Sequence, residues 1–366
     1  MGRPGLLRVD VDTTELEAFL AAELDAAVTG VEVIADGLNL VATVTTTASG
    51  DTPAYTLRSP RMLRESGLFV DLRAEYEVLE RLASTPVPAP EPVRFLGGGP
   101  LERPFYVATY LPGEPFPWGD PLPEQFRTPD VRDGIATRVV ETLAAVHGVD
   151  TRPFASVCPA SSPLEQVEAT TARLDAVTEA TGHELAGLRA VADRLRERAP
   201  TDHERTLVHG DFRPGNLLFG AEGPPRVTGV LDWETVMLGD PLTELGYLLL
   251  DWREGTEWPD PSVLDRHPDT PGMERVRELH RDGLTPFTTR AGSPSAAELV
   301  TRYESLTGRQ FEHGGFHRAL AAVGLATVWA DIHRHGVVAG EQDPVEALPA
   351  VEYVGRVAAA ALDETT

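Results

Sequence analysis

The chain runs to 366 residues, 42% of them hydrophobic and 24% charged, enough to bury a substantial core over two lobes. Its 57 acidic residues outnumber 32 basic ones, all arginine, for a formal charge of −25; with no basic stripe, nucleic-acid binding is excluded. The single Cys158 rules out an internal disulfide, and no apolar run reaches the length of a membrane span.

The carboxylates are scattered rather than blocked. That pattern fits a halophile-like, salt-rich cytoplasm, where repulsion is screened, better than it fits a surface for cationic partners. The opening Met1-Gly-Arg-Pro-Gly carries no apolar secretory segment, so a soluble, cytoplasmic protein with no membrane partner is expected. Nothing in the chain indicates its oligomeric state.

Residues 12–28 read as a capped amphipathic helix. Residues 31–34 and 40–47 read as strands around the turn Ala35-Asp36-Gly37-Leu38-Asn39, and 55–58 as a third strand after Ser49-Gly50-Asp51. A helix is expected over 69–83, where Glu75, Tyr76, Leu79 and Leu82 recur at helical spacing. Short strands follow at 93–96 and 105–110. Leu111-Pro112-Gly113 then breaks the pattern and marks a boundary between an N-terminal nucleotide-binding lobe, 1–111, and a C-terminal lobe, 112–366. Beyond it, 130–147 and 162–198 read as helices and 206–208 and 226–231 as short strands. Residues 240–252, 271–281, 296–306 and 314–335 read as mainly helical. A strand-rich third before a helix-rich remainder is the α+β distribution of two unequal lobes.

The chemistry concentrates in Val208-His-Gly-Asp-Phe-Arg-Pro-Gly-Asn216, followed sixteen positions later by Asp232 in Val-Leu-Asp-Trp-Glu. Phosphoryl transfer asks a protein for positioning and charge compensation around a polyphosphate. Asp211 suits the carboxylate that orients an attacking hydroxyl, and Asn216 and Asp232 suit the hard oxygen ligands of magnesium. Pro214-Gly215 forces Asp211 and Asn216 onto a tight loop. Leu217-Leu218-Phe219 reads as a buried strand turning at 220–225 into the strand that ends beside Asp232. Any one of these residues alone would pass for an ordinary turn residue. Together they make a kinase-type constellation.

The chain resembles the aminoglycoside phosphotransferase/choline kinase superfamily, which has the two-lobed protein-kinase-like fold. The likeness rests on Leu207–Leu218, on Gly229-Val-Leu-Asp-Trp-Glu234, on Gly239-Asp-Pro-Leu-Thr-Glu-Leu-Gly246 and on Arg302-Tyr-Glu-Ser-Leu-Thr-Gly308. It is nearest the phosphotransferase branch whose relatives are sometimes fused to acyl-CoA dehydrogenases. The resemblance implies a small antiparallel sheet with a helix ahead of a larger, mostly helical lobe. It also implies a magnesium-dependent transfer from ATP or GTP to the hydroxyl of a small molecule. Asp211 becomes the catalytic carboxylate, Asn216 and Asp232 the magnesium ligands, His209 a brace of the catalytic loop and Asp240 an anchor of the following helix.

The usual phosphate-gripping lysine is missing, since the chain has none. Arg58 takes that position, with Glu75 as its partner on the helix. The phosphate-covering turn is reduced to Gly37 and Asn39, and the base-binding hinge is expected at 107–111, including Tyr110 and Leu111. Trp233, Glu234, Asp251, Trp252, Tyr303 and Trp329 are candidates for the acceptor wall. The sparse turn and Arg58 leave a second reading, a nucleotide-binding pseudokinase or regulatory module. A protein-directed kinase is disfavoured by the lack of an Ala-Pro-Glu segment after Asp232.

Overall fold

The structure, a computed structural model, describes residues 12–50, 52–61, 68–221, 223–252, 258–267, 270–338 and 347–363. Met1–Gly5, read above for a leader, and Asp51 lie outside them. Among the described residues helix α1 (Thr13–Leu24) comes first, capped by Asp12, whose carboxylate accepts from the amides of Thr14 and Glu15. It stops earlier than its sequence suggests because Asp25 turns left-handed, with φ of 48°. Val28 can then begin strand β1 (Val28–Asp36), longer than expected. With β2 (Asn39–Thr46), β3 (Tyr55–Pro60), β4 (Pro92–Leu96) and β5 (Phe105–Thr109) it forms an antiparallel sheet in the order β1-β2-β3-β5-β4. Alternation along β2 and β3 sends Leu40, Ala42, Val44 and Leu57 onto Leu16, Leu20, Phe105 and Val107.

Helix α2 (Leu72–Leu82) presents Leu72, Glu75, Tyr76, Val78, Leu79 and Leu82 to the interior. A carboxylate on that stripe is the exception that places Glu75 against β3. The remaining chain is mostly helical, built from α3 (Pro129–His147), α4 (Pro163–Thr181), α5 (Ala186–Arg198), α6 (Pro241–Leu248), α7 (Pro271–Asp282), α8 (Ala296–Thr307), α9 (Gly314–Val338) and α10 (Leu348–Asp363). The helix expected over 162–198 is two helices. Gly182 ends α4 in the left-handed region and Leu185 enters α5 from the same region, so the chain folds back on itself. Helix α10 is an addition to the sequence expectation; its Val351, Tyr353, Val354 and Ala358 complete the apolar core shared with α5, α7 and α9.

Two short ribbons carry the central motif: β6 (Thr206–Val208) pairs with β9 (Met237–Gly239), and β7 (Leu217–Phe219) with β8 (Val227–Val230). Among the described residues, no helix is long and apolar enough to cross a membrane.

Candidate active site

Pairing of Leu217 with Val230 sets the end of the loop before β7 beside the residues that leave β8. Three hydrogen bonds lace these segments together. His209 Nε2 donates to the Leu231 carbonyl at 2.7 Å, the Leu231 amide to the Asn216 carbonyl at 2.9 Å, and Thr235 Oγ1 to the His209 carbonyl at 2.9 Å. His209 is therefore the expected brace, and its Nδ1 accepts from the Asp211 amide at 3.2 Å. Gly210 is obligatory at its position. Its φ is 85°, and a Cβ there would lie 2.3 Å from the Thr235 carbonyl oxygen.

A second tie comes from α6. Asp240 caps it by accepting from the Leu242 amide at 2.9 Å, as its place before Pro241 suggests. The cap aims buried Glu244 back at the loop, where it accepts from the amides of His209 at 3.0 Å and Gly210 at 2.5 Å. Glu244 also meets His147 Nε2 at 3.0 Å, and His147 Nδ1 lies 2.8 Å from the Tyr303 hydroxyl. Tyr303 is fully enclosed there, so it belongs to the support of the loop and not to an acceptor wall. Trp233 and Trp252 are likewise 1% exposed and part of the core, which removes them from that wall too.

The structure brings Asp211, Asn216 and Asp232 together. Asn216 Nδ2 donates to the Asp211 carbonyl at 2.8 Å and to its Oδ2 at 2.7 Å, which turns the Asn216 amide oxygen away from Asp211. Asp232 adopts the left-handed region, with φ of 62° and ψ of 57°, a conformation that costs a non-glycine residue about 1–2 kcal/mol. Such strain is retained where the surroundings over-determine it, as the lacing does here. The Asp232 side chain keeps 42% exposure.

Arg58 and Glu75 meet as predicted, with Nε 2.9 Å from Oε1. The same guanidinium pairs through Nη1 with Asp232 and through Nη2 with Glu234 at 2.8 Å. Burial works against the charge of Arg58, and Glu75, Asp232 and Glu234 more than offset it. Burial likewise disfavours ionised Asp232, yet Arg58, His209 and Arg213 hold its carboxyl below the usual range. Asn39 reaches the lattice as well, its amide nitrogen 2.9 Å from Glu234 Oε2, while Gly37 lies in the turn with open space above its Cα. Of the expected hinge, the Tyr110 amide is spent on the Ala54 carbonyl at 3.0 Å, and Leu111 packs against Gly229.

On the other side of Asp211 stands a group of which the sequence analysis names only Asp251 and Trp329. Tyr247 donates to Asp211 Oδ1 at 2.6 Å, and Arg213 Nε lies 3.2 and 3.4 Å from the two carboxylate oxygens. The Arg213 guanidinium lies 4.4 Å over the Trp118 ring. Trp118 Nε1 donates to Asp251 at 2.7 Å, Thr285 bonds the same oxygen, and Trp329 meets Trp118 edge-on at 6.2 Å. Burial raises the Asp251 carboxyl to about 6, although Thr285, Arg213 and Trp118 pull it down. Of the six candidates for an acceptor wall, Trp329 and Asp251 belong to this group, and Glu234 to the Arg58 lattice. Arg213 lies inside the recognised motif and could have been singled out there. Trp118 and Tyr247 carry no comparable signal.

A strained aspartate after one strand, facing a laced loop with an Asp and an Asn, defines a kinase-like phosphotransferase scaffold. Residues 31–279 match the model of the phosphotransferase enzyme family, and the chain belongs to that family. It is 29% identical over 193 residues to mouse acyl-CoA dehydrogenase family member 10, covering 51% of this chain but only 17% of that relative. A solved structure from Ralstonia eutropha, described as a candidate aminoglycoside phosphotransferase, is similar with a TM-score of 0.69 at 23% identity, covering 96% of this chain and 97% of its own. The GDP complex of wild-type aminoglycoside 2'-phosphotransferase-IIIa has a TM-score of 0.58 at 16% identity, covering 94% and 99%. At those identities the likeness speaks for the fold.

Proposed function

We propose that the protein is a small-molecule kinase, moving the terminal phosphoryl group of ATP or GTP to a hydroxyl of its acceptor. The observation that carries this reading is the convergence of Asp211, Asn216 and Asp232 on one laced turn. The nucleotide lies between an N-terminal lobe of residues 1–111 and the rest of the chain, with its base at the strand-end segment near Tyr110 and Leu111. Gly37 and Asn39 cover the phosphates, and Arg58, positioned by Glu75, binds their oxygens. GDP bound to one structural relative and ADP bound to another support a guanine or adenine nucleotide as the donor.

Asp211 orients the acceptor hydroxyl and takes its proton. The bond from that oxygen to the γ-phosphorus forms as the bond to the bridging β–γ oxygen breaks, and the nucleoside diphosphate leaves. Asp232 and the freed amide oxygen of Asn216 suit magnesium, a hard cation that takes part of its shell from phosphates and water. Among the described residues no group of three or more His, Cys, Asp or Glu side chains could hold a metal ion. Held by Asp232 and Asn216, magnesium would neutralise charge developing on the phosphates.

The test is phosphate transfer from magnesium-ATP and magnesium-GTP to a panel of hydroxyl compounds in concentrated salt. Asp211→Asn is expected to lower kcat about 10³-fold while nucleotide binding persists. Transfer that survives the substitution overturns the reading. Magnesium-dependent nucleotide binding with no transfer to any compound favours the pseudokinase alternative, which draws support from Arg58 being held by three carboxylates.

A further inference from the structure

Arg213 differs from Arg58 in how few of its donors are used. Its Nε rests on Asp211, but among the described residues its two terminal nitrogens make no hydrogen bond, and its side chain is 20% exposed. Four N–H groups of a planar fork are therefore without a hydrogen-bond partner among the described residues, beside the carboxylate proposed to orient the acceptor. The fork is held in place. It stacks on Trp118, which is itself fixed by Asp251 and Trp329. Gly215 makes the room, since a Cβ there would lie 2.2 Å from an Arg213 terminal nitrogen. A guanidinium stacked on an indole loses little further freedom when it binds a second partner.

The neighbouring acceptors are committed. Asp211 Oδ1 takes the Tyr247 hydroxyl and Oδ2 takes Asn216. Asp251 Oδ1 takes Trp118 and Thr285, and Oδ2 is enclosed, without a hydrogen-bond partner among the described residues. An ammonium entering beside Asp211 would meet the spare N–H donors of Arg213, a like charge. An oxyanion would meet two parallel donors, the geometry that guanidinium groups offer carboxylate and phosphate. In a protein of charge −25, such a cation is a local feature and not part of the general surface.

We infer that Arg213 is the acceptor-recognition residue of the site, its terminal nitrogens binding a carboxylate or phosphate that the acceptor carries next to its reacting hydroxyl. The inference rests on the kinase reading for the word acceptor, but the anion site can be tested without turnover. Inorganic sulfate is the probe, titrated at constant ionic strength and followed by calorimetry. Saturable binding is expected, weakened at least tenfold by Arg213→Gln and changed less than twofold by Arg152→Gln on the exposed surface. Arg213→Lys keeps the charge without the fork and should fall between; matching melting curves show that the variants are folded. Absent binding, or binding that ignores Arg213, overturns the site.

A second arm separates the acceptor from the phosphoryl group in flight, using three hydroxy compounds that carry a carboxylate, no charge or an ammonium on the adjacent carbon. The carboxylate compound is the expected substrate, with KM raised at least tenfold by Arg213→Gln and kcat changed less than threefold. A uniform loss of kcat across all three compounds, or preference for the ammonium compound, overturns the inference. Sulfate binding at Arg213 with no transfer to any compound supports the anion site and counts against the kinase reading instead.

Discussion

The two sides of Asp211 use arginine in opposite ways. On the donor side, Arg58 is 9% exposed and each of its three nitrogens faces a different carboxylate, on α2, after β8 and in the Trp233 turn. On the acceptor side, Arg213 is anchored by one nitrogen and one indole and keeps its terminal donors spare. A buried charge must be fully compensated to be tolerated, and a saturated fork makes a rigid strut between segments distant in sequence. A partly exposed charge tolerates open valences, and those are what a ligand can use. Under the kinase reading, phosphate oxygens must share Arg58 with those carboxylates, whereas Arg213 offers donors that are already open.

Three substitutions sharpen the contrast. Glu75→Ala should have the largest effect on stability. It leaves buried Arg58 one carboxylate short and deprives the Tyr106 hydroxyl of the Glu75 oxygen 3.0 Å away, a loss of about 3 kcal/mol. Urea unfolding with an unchanged slope is the measurement; a loss within 0.5 kcal/mol, about the surface-substitution range, would mean the strut is dispensable.

Asp251→Asn tests the acceptor side through pH. Burial raises this carboxyl from 3.8 to about 6, so between those values the native protein holds a proton that the unfolded chain has lost. Stability therefore falls as pH rises through that window, and the penalty is fully present above about pH 6. The variant, which never ionises, should gain on the order of 2 kcal/mol over the parent at pH 7.5 and nothing at pH 3.5. An equal gain at both pH values would assign the effect to packing.

Trp118→Phe should be the mildest. It keeps an aromatic face under Arg213 but removes the donor to Asp251, at a cost of about 1 kcal/mol by thermal melting. A loss as large as that of Glu75→Ala would show that the acceptor side is a strut as well.

Much of the site was legible because its chemistry is local. Asp211, Asn216 and Asp232 fall within one stretch whose turn and two strands are encoded by Pro214-Gly215, Leu217-Leu218-Phe219 and the apolar run before Asp232. Arg58 and Glu75 were reachable through the resemblance alone, since nothing in a lone strand arginine announces a partner on the next helix. The aromatic candidates failed for a different reason. Tyr303 and Trp252 have the composition of a ligand cage and of a core alike, and only the elements packed over them separate the two. The break at Gly182 was missed because apolar residues continue at helical spacing on both sides of it, while Leu185 takes a backbone conformation unusual for its type.

By itself, then, the sequence determined most of the strands and helices and the loop that carries the carboxylates. Those depend on neighbours in the chain, on periodicity and on backbone freedom, all of which are written locally. The tertiary structure alone decided that Arg58 is closed by three carboxylates, that Tyr303 and His147 brace the loop through Glu244, and that Arg213 lies open upon Trp118. These are meetings of residues tens to hundreds of positions apart, and whether a polar group ends up satisfied or spare depends on which atoms surround it once the core has formed.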